Sequence, residues 1–208
     1  MTEAGNLYVI SAPSGAGKTT LVEMLIAALP NIMVSISHTT RPRRPAEINA
    51  VNYHFITESC FQEMIQHNDF LEYATVFNNT YGTSRAFVEE TLRKGTDVIL
   101  EIDWQGAQQI KQLIPSCIGI FILPPSLQAL SERLTLRNQD KPEIIRKRLA
   151  DAQETISHAG EYDYIVLNDD FNAALNDLKT IILAERLKQP RQIRRLAPLI
   201  TELLDDTA

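Results

Sequence analysis

The segment "SAPSGAGKTTL", Ser11 to Leu21, places two glycines, a lysine and hydroxyls between an apolar run and a helical pattern. A turn of this kind aims several backbone N–H groups and the positive end of a helix at one point, where an anion fits. Within "APSGAGKT", Gly15 and Gly17 permit close backbone approach and Lys18 reaches the outer phosphates, while Thr19 sets its hydroxyl on a Mg²⁺ ion. Ala12, Pro13, Ser14, Gly15, Ala16, Gly17, Lys18, Thr19 and Thr20 are therefore the expected nucleotide-phosphate site, with Mg²⁺ as cofactor. The strict pattern has glycine where Ala12 stands, but Pro13 biases Ala12 toward extended backbone, where a β-carbon costs nothing.

A metal bound there wants a carboxylate at the end of a neighbouring strand, and "DVILEIDWQG" supplies Glu101 and Asp103 on one side by alternation. Either could hold the cation directly or through water; the plainer alternative is an acidic loop capping the next helix. The loop alone suits a GTPase, an ATPase, a transporter subunit or a kinase. A second anion grip narrows the choice. Arg41 and Arg44 lie three apart on a proline-bracketed extended segment, placed for forked hydrogen bonds to phosphate, with Tyr53 and Tyr81 as further donors. A solvated surface pair is the alternative.

Positioning these groups takes an α/β frame. Apolar runs at Leu7–Ile10, Met33–Ser37, Val98–Ile102, Ile118–Leu123 and Tyr164–Leu167 alternate with helical patterns, predicting βαβ units around a mainly parallel five-stranded sheet in three layers. Helices are predicted over Lys18–Leu29, Gln105–Ile114 and Leu127–Asn138, the last capped by Ser126. The expected organisation is one domain over 1–208: a core (5–37, 95–125, 159–187), an inserted substrate lobe (38–94), a basic lid (126–158) and a tail (188–208) that breaks near Pro190 and Pro198. That tail reads as packing or subunit contact, so a homo-oligomer is compatible with it.

A formal charge of −6 argues against an extended nucleic-acid footprint. Cys60 and Cys117 lack metal-site spacing and read as reduced thiols; His38, His54, His67 and His158 fit no ligand or triad spacing. No signal-like leader and no run near the ~20 apolar residues of a membrane span is present, so the expected location is cytoplasmic.

In order along the chain, "SHTTRPRRP", "FLEYATVFNNTYGTS", "EIDWQGAQQI" and "YDYIVLNDD" resemble the bacterial guanylate kinase family, with its P-loop nucleoside monophosphate kinase fold. The resemblance implies transfer of the ATP γ-phosphoryl to GMP, and with it dGMP as an alternative acceptor. It implies a GMP site of Ser37, Arg41, Arg44, Tyr53, Glu72, Tyr81, Thr83 and Asp103. One carboxylate, Glu72, can accept both guanine N1–H and the exocyclic amine, whereas adenine presents a lone pair at N1. "LSERLTLRNQDKPEIIRKRL" resembles the family's lid, so Arg133, Arg137 and Arg148 would join Lys18 and Arg41 in catalysis. Asn168 falls where the family places a residue beside adenine; its alternative is a strand-to-helix turn capped by Asp170. Asn138, Ala46 and Ala50 stand where the family commonly has glycine. Two other readings carry different chemistry: a kinase of the same fold for a ribose bisphosphate, and a non-catalytic module that binds phosphopeptides.

Overall fold

Four of the five predicted strands are near-continuous apolar runs, the pattern of parallel strands covered on both faces. The computed structural model describes residues 4–76, 78–136 and 142–205, with backbone alone over 142–146. Its elements are β1 (Leu7–Ser11), α1 (Lys18–Ala28), β2 (Ile32–Val34), β3 (His38–Thr39), β4 (His54–Phe55), α2 (Glu58–Gln66), β5 (Phe70–Val76), β6 (Asn79–Ser84), α3 (Arg85–Arg93), β7 (Asp97–Glu101), α4 (Trp104–Leu113), β8 (Ile118–Leu123), α5 (Leu127–Leu136), α6 (Pro142–Ser157), β9 (Tyr164–Leu167), α7 (Phe171–Arg186) and α8 (Gln189–Asp205).

The core sheet runs β2-β7-β1-β8-β9 and every neighbouring pair in it is parallel. Alternation divides its side chains between two cores. Tyr8, Ile10, Ile99, Ile120 and Ile122 meet Leu21, Leu25, Leu178 and Ile182 from α1 and α7. On the other face Leu7, Val9, Val98 and Leu100 meet Val88 of α3 and Ala107 and Ile110 of α4. The three expected layers follow from that division.

A second sheet, β4-β3-β6-β5, forms from the segment between β2 and α3. Its edge strand β5 is docked to α4 by Gln109, whose side-chain amide accepts from Tyr73 N–H at 3.3 Å and donates to Tyr73 C=O at 2.8 Å. The amide thereby satisfies both polar groups of one edge residue, as a neighbouring strand would.

Two expectations change. β2 covers Ile32–Val34 rather than Met33–Ser37, because after Ser35 donates to Ile99 C=O the chain leaves to form the second sheet. α5 is described from Leu127 to Leu136, with Ser126 Oγ accepting from Ala129 N–H as predicted; its expected end at Asn138 lies outside the described residues. The expected tail break is present near Pro190, where α7 ends at Arg186 and α8 starts at Gln189, but not at Pro198, through which α8 is continuous. Pro190 sits in the first turn, where an N–H has no helical partner in any case. Pro198 lies on an exposed helix, so water can take the carbonyl it orphans.

Candidate active site

β1 delivers the chain into the turn at its C-terminal end. Gly15 and Gly17 stand at φ 92 and φ 90, a region glycine enters freely. Gly17 is the N-cap of α1 and provides no side-chain cap, so the first-turn N–H groups remain directed at the loop's centre. Pro13 and Ala16 are buried and closed by an Ala16 N–H to Pro13 C=O bond of 3.1 Å. Thr20 is exposed on α1.

Lys18 and Thr19 face the end of β7. Lys18 Nζ is 3.7 Å from Glu101 Oε2, and Thr19 Oγ1 donates to the same oxygen at 3.3 Å. Burial pulls the Lys18 ammonium below its ordinary pKa, against the opposing fields of Glu101 and Asp103. A hydroxyl and a carboxylate are hard oxygen donors suited to Mg²⁺. The described residues contain no group of three acidic, histidine or cysteine side chains arranged for a metal.

The two expected acids do separate work. Asp103 lies beyond β7 as the N-cap of α4, its Oδ1 accepting from Gly106 N–H at 3.0 Å. Burial raises its pKa. The capping alternative read from the sequence thus describes Asp103, while Glu101 is the acid beside Lys18 and Thr19.

Across the cleft, Glu72 of β5 is 4% exposed and receives a hydrogen bond from Thr83 Oγ1. Burial pushes its carboxyl up to about 7 although the Thr83 bond works the other way. Thr83 is itself fully buried, so its hydroxyl orients the carboxylate. Arg41 lies 5.5 Å from the Tyr53 ring centroid, and Tyr53 packs edge-on to Tyr81. Sequence reasoning missed Glu47, which accepts from Arg41 Nη2 at 2.6 Å and from Arg44 N–H at 2.8 Å. Burial disfavours the Arg41 charge, but the Glu47 contact outweighs it and holds the guanidinium above its ordinary range. Arg44 is exposed on the same turn. Ala50 adopts φ 62, a left-handed conformation.

From the lid side, Arg133 Nη2 donates to Asn168 C=O at 3.1 Å, while its buried Nη1 has no partner among the described residues. Arg148 Nη1 lies 3.5 Å from Ser14 Oγ. Arg137 and Asn138 lie outside the described residues. Asn168 is buried and its Nδ2 donates to Ala16 C=O at 2.6 Å, so its amide holds the loop; Asp170 caps α7 through Ala173 N–H.

One cavity of about 160 Å³ joins the two halves, lined by Ala12 and Lys18 together with Ser37, Tyr53, Glu72, Tyr81, Glu101 and Asp103. A family model for guanylate kinase matches residues 4–185.

The chain belongs to the guanylate kinase family.

It is 55% identical over 200 residues to the guanylate kinase of Pseudomonas fluorescens, covering 96% of this chain and 97% of that one. To the guanylate kinase of Saccharophagus degradans it is 53% identical over 204 residues, covering 98% and 100%. The crystal structure of guanylate kinase from Anaplasma phagocytophilum superposes with a TM-score of 0.74 at 32% identity, over 92% of this chain and 91% of that one. The family match covers both sheets and ends before α8.

Proposed function

We propose that this kinase transfers the γ-phosphoryl of ATP reversibly to GMP, giving ADP and GDP, with dGMP as a second acceptor. The observation that carries the reading is the shared cavity: the phosphate-loop lysine and the guanine-matched carboxylate line the same space. A donor phosphate and an acceptor chosen by its base then meet in one cleft, which neither a sugar kinase nor a phosphopeptide module requires. Nothing in the site favours either of those alternatives.

Phosphoryl transfer to an already anionic acceptor needs little general base; it needs positioning and charge neutralisation. Lys18 and the loop N–H groups hold the donor phosphates. Thr19 and Glu101 would hold Mg²⁺, with Asp103 as the nearby second acid. When bound, Mg²⁺ spreads charge over the phosphate oxygens. Arg41, fixed by Glu47, grips the acceptor phosphate with Arg44, Tyr53 and Tyr81. Glu72 reads guanine N1–H and the amine, Thr83 orients Glu72, and Ser37 and Asp103 complete the base pocket. Arg133, Arg137 and Arg148 close from the lid and exclude water, which would otherwise accept the phosphoryl group.

In this reading the chain is a single functional unit of core, GMP lobe (38–94), lid (126–158) and tail, acting in the cytoplasm. Two free cysteines accord with a reducing compartment. Among the described residues no helix is long and apolar enough to cross a membrane. A homo-oligomer is supported by α8, which buries none of its residues yet exposes Ile193, Leu199, Ile200, Leu203 and Leu204. Sedimentation of the full chain and of a chain ending at Lys188 tests it; both sedimenting as monomers would dismiss it.

Lys18→Ala tests the catalytic reading. Turnover should disappear while calorimetry still detects GMP binding, and unimpaired turnover would remove the loop from the mechanism.

A further inference from the structure

Gly106 is an odd choice for its position. It is buried in the first turn of α4, a helix interior where alanine would be favoured over glycine. It does not have positive φ and makes no chain reversal. Its reason lies across the cleft: a β-carbon built on Gly106 would stand 2.6 Å from Glu72 Oε2 and 3.2 Å from Glu72 Cδ. The other carboxylate oxygen, Oε1, is committed to Thr83 Oγ1. Oε2 therefore occupies the space that any other residue at 106 would fill.

We propose that Gly106 is a specificity-determining positioning residue: its missing side chain lets α4 approach β5 closely enough to leave the Glu72 carboxylate aimed at the acceptor base. This rests on Glu72 being the group that reads guanine. Three further contacts make the approach a built one. Gln109, one turn along α4, clamps the Tyr73 peptide on both sides at 2.8 and 3.3 Å, so helix and strand do not separate to relieve a clash. Gly106 N–H donates to Asp103 Oδ1, so this one residue abuts two of the three acids lining the cavity, Glu72 and Asp103. Ile102 Cδ1 lies 3.3 Å from the same built β-carbon and closes the remaining side.

The easiest response to a methyl group at 106 is rotation of the Glu72 carboxylate, since that is the free end of a side chain and the rest is backbone or packed core. Folding tolerates the rotation. Recognition of the base does not, because two donors on guanine must meet two lone pairs at fixed angles, and a displacement near 1 Å costs on the order of 100-fold.

The test is steady-state kinetics of Gly106→Ala beside Glu72→Gln, with thermal melts of both. Gly106→Ala should raise the KM for GMP by about ten- to a hundredfold and leave the KM for ATP unchanged. Its melting temperature should stay level or rise, as helix propensity dictates; a purely structural glycine would instead show a lowered melting temperature and both KM values disturbed. Glu72→Asp, shorter by one methylene, should cost less in the Gly106→Ala background than in the parent. Additive losses, or an unchanged KM for GMP in Gly106→Ala while Glu72→Gln is impaired, would overturn the proposal and leave the reading of Glu72 standing. If Glu72→Gln itself keeps the parental KM for GMP, the assignment of Glu72 fails, and the role of Gly106 with it.

Discussion

Asn168 and Ala16 are joined by a 2.6 Å hydrogen bond from the Asn168 amide to the Ala16 carbonyl, at the crown of the phosphate loop. The same residue's carbonyl accepts from Arg133, and its side chain leaves no room beside Gly17, where a β-carbon would lie 2.5 Å from Nδ2. Asn168 thus ties the loop to Arg133 of α5.

Asn168→Ala should free the loop carbonyl and loosen the lid arginine together. We expect the KM for ATP to rise and kcat to fall, with the KM for GMP nearly unchanged. Equal effects on both substrates would place the residue elsewhere in the mechanism.

Glu72 supplies a pH signature. With its carboxyl raised from the ordinary 4.5 to about 7 by burial, the free enzyme loses the base-reading carboxylate as pH falls through 7. The KM for GMP should climb about tenfold per pH unit below that point. The phosphate of GMP titrates near 6 and contributes to every variant alike, so the Glu72 part is the difference from Glu72→Gln, whose elevated KM should lack it. Stability carries the opposite sign. A folded pKa above the unfolded one means the folded state binds the proton more tightly, so stability declines as pH rises from about 4.5 to 7. Urea titrations of Glu72→Gln across that window should show a shallower decline.

Ala50 pays for a left-handed turn at φ 62 while donating its N–H to Tyr53 C=O at 2.8 Å. That conformation costs an L-residue roughly 1–2 kcal/mol, and the greater unfolded-state freedom of glycine returns about 0.4–1 kcal/mol of it. Ala50→Gly should therefore stabilise by about 0.5–1 kcal/mol, seen as a higher denaturation midpoint, with catalysis retained. A lowered midpoint would mean that the strain is not present in solution.

Asp97 is fully buried at the opposite end of β7 and binds three donors: Asn6 N–H at 2.7 Å, Arg186 Nε at 2.7 Å and Arg191 Nη1 at 2.8 Å. Breaking a buried pair from one side costs about 3–5 kcal/mol because the partner charge stays behind. Asp97→Asn should lower stability by that order and open the start of α8 to trypsin, while the KM values of the surviving folded enzyme remain near those of the parent.

The sequence foretold what local pattern controls. "LYVIS", "DVILE" and "IGIFIL" are apolar on both faces because helices cover both, and each became a core strand; "YIVL" became an edge strand, with Ile165 and Leu167 exposed. The glycine-lysine turn, Ser126 and Asp170 were readable for the same reason: their partners lie within a few residues. β3 and β4 were invisible, since two-residue strands carry no period. Gln109 acts through a partner that only the fold brings close, meeting Tyr73 across 36 positions; Glu47 meets Arg41 and Arg44 within six positions, but no spacing rule marks that turn. One signal was available and not used: Gly106 interrupts a helical pattern just after Asp103, and a glycine there usually has a packing or functional cause.

The most direct measurement is ADP release by the purified chain with Mg-ATP and, in turn, GMP, dGMP, AMP, CMP and UMP. A donor loop and a guanine-matched carboxylate in one cleft predict turnover of roughly 1–100 per second with GMP, activity with dGMP, and near-background release with the other three. Comparable rates with AMP or CMP, or ADP release that proceeds equally without any acceptor, would contradict it.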